Sequence, residues 1–232
     1  MRRSILFLLF LATILSASWL VKNGTIAVPS PWNPWAPLDV ADEPNLLTRF
    51  KLSRLERDPD ACLAALSKTS FRFHPLPDRE TGPECGFRNA VSITSADISL
   101  GGTLTLSCPA TIALALWEHH SVQPAAIRLY NQRVVRIETL GSYSCRNVYG
   151  RPDAPRSQHA TANALDVAGF VFADGRRARV MDDWTRDSTA ARFLRDVDAG
   201  ACRYFDAVLD PDYNAAHRDH LHLDRGPYHF CR

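Results

Sequence analysis

The stretch Ser157–Val167, SQHATANALDV, sets one histidine, His159, seven residues ahead of one aspartate, Asp166, in a run of small residues. Seven residues is about two helical turns, so the two would share a face of a helix. The continuation DVAGFVF, Asp166–Phe172, argues instead for a strand, because glycine and β-branched and aromatic residues suit a pleated sheet better than a helix. Asp166 is therefore expected at a strand start and His159 in the loop before it. Further along, Asp219–Asp224 reads DHLHLD. On a strand, alternate residues face the same way, which puts His220, His222 and Asp224 on one side and sends Leu221 and Leu223 into a core.

Working outward, the neighbouring segments supply a sheet and its covering helices. Cys108–His120, CPATIALALWEHH, is apolar at helical spacing and is the expected central core helix. AAIRLY (residues 125–130) and RVVRIETLGSYSCR (133–146) alternate and read as strands. Asp166–Phe172 and Arg176–Met181 are strand-like runs joined by Ala173-Asp174-Gly175, and an Asp-Gly pair between alternating runs signals a hairpin. Thr189–Leu209 is helical in pattern, with a break around Gly200. Asp58 before Pro59 starts a helix, since aspartate caps and proline suits the first turn. Helices mixed with mostly antiparallel strands define an α+β domain.

At 232 residues the chain is of one-domain size, and a formal net charge of +2 lacks the basic excess that nucleic-acid binding needs. Arg2 and Arg3 precede an uncharged, mostly apolar run, Ser4–Val21, closed by Lys22. Such a run is an export signal, and at about 1.5 Å per residue it reaches roughly 27 Å, near the ~30 Å hydrocarbon core. Residues 1–23 are thus expected to anchor the chain in the inner membrane, with the following residues on the periplasmic face. Cleavage at the small residues Ser16–Ser18 is the alternative, and would release the chain into the periplasm. Residues 24–45 carry five prolines between Val28 and Pro44 and read as a spacer, so the folded domain is expected over residues 46–232. An even count of six cysteines in an exported chain favours disulfides. Their connectivity stays open among fifteen possibilities.

Taken singly, each histidine fragment reads as ordinary strand or loop polarity. Together they offer imidazoles and a carboxylate, and two imidazoles with one carboxylate and an open fourth position are what a catalytic zinc needs. The run Ser157–Asp166 resembles the S-x-H-x-x-G-x-A-x-D signature of the zinc D-alanyl-D-alanine peptidases and lysostaphin-type (LAS) enzymes. Asp219–His222, DHLH, matches their closing E-x-x-H or H-x-H. More narrowly, GSYSCR, HATANALDVAGF and FLRDVDAGACRYFDAVLDPDYNAAHRDHLHLD are similar to the bacterial extensin-like C-terminal domain family, over about Leu63 to Cys231.

That resemblance implies a Hedgehog/D-Ala-D-Ala peptidase-like α+β fold, with a central antiparallel sheet, flanking helices and a zinc site, acting on peptidoglycan. It implies His159, Asp166 and His222 as metal ligands and either His220 or Asp219 as general base. Arg146 falls where these peptidases carry an arginine suited to an oxyanion or a substrate carboxylate. Ser157, orienting the loop, and His217 are the expected substrate-side residues. The expected reaction is hydrolysis of an amide in peptidoglycan peptides, as a carboxypeptidase or endopeptidase; the alternative is a wall-binding or scaffold module that keeps the groove without hydrolysis. The signature's glycine is Ala162 here. If that position takes a positive φ, its methyl group costs about 1 kcal/mol.

Overall fold

The computed structural model describes residues 2–95 and 97–231. Its first helix, α1 (Arg2–Lys22), is long and apolar enough to cross a membrane, and its apolar window, of mean hydropathy 2.3, has none of its residues buried. The proline-rich stretch that follows is packed rather than free. Leu38 and Val40 are 4% and 9% exposed and belong to the main core, and the Val40 carbonyl meets His120 Nε2 at 2.7 Å. The expected domain boundary at residue 46 therefore moves toward the N terminus, because two aliphatic side chains between the prolines find apolar partners.

Helix α2 (Leu46–Arg54) is closed by a capping box at Asn45, and α3 (Pro59–Leu66) by Asp58, whose carboxylate accepts from the Ala61 N–H. Strands β1 (Arg72–Leu76), β4 (Ala90–Ser95) and β5 (Leu104–Ser107) form an antiparallel sheet in the order β1-β4-β5. Between them, β2 (Arg79–Gly82) and β3 (Cys85–Phe87) make a separate hairpin. Ser107 ends β5 and caps α4 (Cys108–Trp117), every residue of which is buried. A helix that is apolar all round can only sit at the centre, and α4 does: Trp117 Nε1–H donates to the Val197 carbonyl at 2.7 Å.

The chain then passes through a π turn, Glu118–Val122, into α5 (Gln123–Tyr130). AAIRLY is thus helical, not a strand. Ala125, Ala126 and Tyr130 are buried while Ile127 and Arg128 face solvent, a helical spacing that six residues alone do not separate from alternation. The second sheet runs β11-β9-β10-β7-β6 with β8 beside β7. Its strands are β6 (Val134–Gly141), β7 (Ala164–Phe172), β8 (Arg177–Arg179), β9 (Ala207–Leu209), β10 (Leu221–Asp224) and β11 (Phe230–Cys231). All its pairings are antiparallel except β11 with β9. The short α6 (Val180–Asp183) and the amphipathic α7 (Thr189–Ala201) complete the fold, and Phe193 of α7 packs against Phe170, Phe172 and Tyr130. The Asp174-Gly175 turn joins β7 to β8, with Gly175 at φ +85°.

Three disulfides staple these layers: Cys62–Cys108 joins α3 to α4, Cys85–Cys145 ties the β2–β3 hairpin to the loop after β6, and Cys202–Cys231 fastens the C terminus beneath α7. The domain is mixed α and β, with antiparallel sheets and every cysteine paired.

Candidate metal centre

Strand β7 does two jobs at once. Leu165 and Val167 face the core, as do Phe170 and Phe172, and these two pairs are out of phase for a regular strand. Register shifts between Glu138 and Gly141 on β6 absorb the extra residue opposite Val167–Gly169. The bulge re-aims one half of β7 against the other and leaves Asp166 on the face away from Leu165 and Val167. Gly169 marks the place: a Cβ there would lie 2.7 Å from the Ala178 carbonyl oxygen.

His222 of β10 pairs directly with Asp166 across the antiparallel ladder. Facing residues of such a pair have adjacent side chains, and His222 Nδ1 lies 2.9 Å from Asp166 Oδ1. His159 arrives from the short 3-10 helix Gln158–Thr161, which ends at Ala162 in the left-handed region, φ 57° and ψ 27°. That turn folds His159 back over the start of β7, so its Nε2 stands 3.1 Å from Asp166 Oδ2 and 3.2 Å from His222 Nδ1. All three side chains are buried, and their nearest ligand atoms lie within 4.8 Å of one another.

The protons of the two imidazoles are committed elsewhere. His159 Nδ1–H donates to the Ser142 carbonyl, and His222 Nε2–H donates to Asp224 Oδ2 at 3.0 Å. With those tautomers assigned from the hydrogen-bond network, His159 Nε2 and His222 Nδ1 present lone pairs, and both converge on a carboxylate. Three potential donor atoms held this close suit a positive charge between them, whether a proton shared with Asp166 or a metal ion. Ligands at 2.0–2.1 Å in a tetrahedral zinc site stand about 3.3 Å apart, close to the spacings seen here. A carboxylate or carbonyl behind each ligating histidine is also the usual supporting arrangement. The donor set therefore fits zinc.

Electrostatics agree. Burial raises the pKa of Asp166, but its hydrogen bonds to His159 and His222 prevail and hold the carboxyl far below its ordinary value. Burial works against a charge on His222, yet Asp166 and Asp224 outweigh it and raise the imidazole to about 9. The pocket thus favours positive charge at its centre.

Around this floor stand the remaining expected residues. His220 precedes β10; its Nδ1 is 2.9 Å from Asp219 Oδ1 and its Nε2 is 3.6 Å from Asp166 Oδ1. Asp219 lies behind His220, with its side chain 40% exposed. Arg146 reaches Asp166 Oδ2 at 3.6 Å from the opposite loop. Ser157 Oγ caps the turn that carries His159, accepting from the His159 N–H, so it is occupied in the loop. His217 is buried. Its Nδ1 is held at 3.0 Å by Asn214, its ring centre is 5.2 Å from that of His220, and burial lowers its pKa to about 4.

Two contributors were not among the expected residues. Asp224 fixes the His222 tautomer, and the alternation of DHLHLD already placed it on that face. The Ser142 carbonyl fixes His159, and a backbone acceptor leaves no mark in a sequence.

A disulfide-stapled domain of mixed α and β structure, whose sheet gathers two imidazoles and a carboxylate around one point, is the class that fold and site define. Residues 60–232 match the model of the extensin-like protein C-terminus, and the chain belongs to that family. No curated protein and no solved structure matches the chain.

Proposed function

We propose that the protein is a zinc-dependent hydrolase of amide bonds in peptidoglycan peptides, held at the periplasmic face of the inner membrane by α1. The observation that carries the reading is the meeting of His159 Nε2, Asp166 and His222 Nδ1, lone pairs inward, with an Asp219–His220 pair at the rim. His159, Asp166 and His222 would hold a zinc ion, which would supply Lewis-acid chemistry for a carbonyl and a water at neutral pH. The chain's own residues supply the rest. Asp219 accepts the His220 Nδ1–H, which leaves Nε2 as the lone-pair atom, so His220 takes a proton from water at Nε2 and returns it to the leaving amine. Asp219 orients His220, and the two candidate bases become one pair. The Arg146 guanidinium, 43% exposed beside the ligands, is placed for a substrate carboxylate or for charge developing on the carbonyl oxygen. His159, at 2% side-chain exposure, keeps the floor of the site dry.

The test has two stages on the full chain folded in an oxidising compartment. Elemental analysis is expected to give one zinc per chain, lost in His159→Ala. Purified peptidoglycan digested with the loaded protein is then expected to yield freed D-alanine or opened crosslinks by mass spectrometry. Zinc without new products would convert the reading to a wall-binding module of the same fold. Failure to take up zinc at all would end the metal assignment.

A further inference from the structure

The segment between α1 and α3 carries large apolar side chains that neither the core nor the metal centre uses. Three bonds pin this segment along α2: Asn45 Nδ2 donates to the Pro31 carbonyl at 2.9 Å, Lys51 Nζ to Ser30 at 2.6 Å and Arg54 Nη1 to Pro34 at 2.7 Å. Trp32 and Trp35 are therefore held in place, yet they remain 58% and 37% exposed. On α2 itself, Leu46 and Phe50 sit four residues apart on one stripe and are 91% and 49% exposed. Arg54 continues that stripe and grips Pro34, so the tryptophan-bearing segment meets the end of the apolar face. The opposite side of α2, through Lys51 and Leu52, is buried.

Aromatic rings with one apolar body and one polar N–H gather where a bilayer meets water. The bilayer is close in chain terms. From Lys22, the last residue of α1, to Trp32 is ten residues, a reach of at most about 35 Å at ~3.5 Å each. Bonds from the Asn23 and Thr25 N–H groups back to Trp19 and Leu20 shorten it further. We propose that Trp32, Trp35, Leu46 and Phe50 form a docking surface for the lipid interface, seating the domain on the bilayer beside the exit of α1. This rests on the reading of α1 as a retained anchor. The consequence is a domain held flush to the membrane at a fixed height, not one swinging on a tether.

The test is tryptophan quenching by brominated phospholipids with the full chain in vesicles. Trp117 and Trp184 are buried, at 0% and 4% exposure, and supply the background. In Trp19→Phe, lipids brominated close to the headgroup are expected to remove up to half of the emission, since two of the four remaining tryptophans lie on the patch. Adding Trp32→Phe and Trp35→Phe is expected to abolish that loss. Leu46→Glu with Phe50→Glu in the Trp19→Phe chain, both at exposed positions, is expected to weaken it. Quenching in Trp19→Phe no greater than in the triple variant overturns the docking surface. A separate chain, Trp32→Phe with Trp35→Phe, keeps Trp19 near the end of α1 and reads its insertion with lipids brominated in the upper acyl chain, so loss of the anchor is told apart from loss of docking.

Discussion

Ala162 holds the left-handed turn that folds His159 over β7, with φ 57° and no exposed surface. A non-glycine residue there costs about 1–2 kcal/mol, while its buried methyl contributes about 0.8 kcal/mol. These nearly offset, so Ala162→Gly is expected to change stability by no more than about 1 kcal/mol, with zinc affinity undiminished in a chelator competition. A large loss of metal on gaining the glycine would show that the methyl packing sets the ligand geometry. Asp224 acts on the other imidazole. Replacing it by Asn removes the charge behind His222 Nε2 but keeps an acceptor, and zinc affinity is expected to fall about 10- to 100-fold with the fold intact. Unchanged affinity would mean that Asp224 does not support the ligand. Both residues were within reach of the sequence, Ala162 as a departure from a glycine and Asp224 by strand alternation.

At the scale of elements, α7 carries an internal conflict. Burial, with the nearby charges of Asp210 and Asp212, raises the Asp198 carboxyl to about 7, and one of its oxygens is buried without a hydrogen-bond partner among the described residues. In the unfolded chain the group titrates near 3.9. Below that pH both states hold the proton and nothing is lost. Between that pH and about 7 the unfolded chain gives up the proton while the folded state keeps it, so stability falls across this window and levels off above about 7. Asp198→Asn is therefore expected to stabilise the protein by roughly 1–3 kcal/mol at pH 8 and to leave it nearly unchanged at pH 4, read from denaturant midpoints. An equal effect at both pH values would sink the argument. The element most misjudged from sequence, α5, shows the limit of local pattern: six residues fit two periods, and only continuation from α4 through the π turn selects the helix.

For the whole molecule, the disulfides tie the site to the scaffold. Cys85–Cys145 closes a loop of sequence separation 60 and lies one residue before Arg146. Chain-entropy reasoning gives such a bridge about 4 kcal/mol. Cys85→Ala with Cys145→Ala is expected to lose stability on that scale in urea while still binding zinc, because none of the three ligands lies within the β2–β3 hairpin. An unchanged urea midpoint would show that the loop is already ordered without the bridge.

What the sequence by itself determined is local: the apolar α4, the cap at Asp58, the Asp-Gly hairpin, the apolar α1, and the residue types that meet at the site. These follow from periodicity and capping within a few turns of chain. Tertiary structure decided which of those residues meet. The pairing of His222 with Asp166 depends on strand register across 56 residues, and a slip of one position would turn His222 into the core. The three disulfide partners, the packing of Leu38 and Val40, and the choice of His159 Nε2 by a backbone carbonyl likewise arise from contacts between distant segments. Such contacts form only when the whole core closes, so no short window of the chain encodes them.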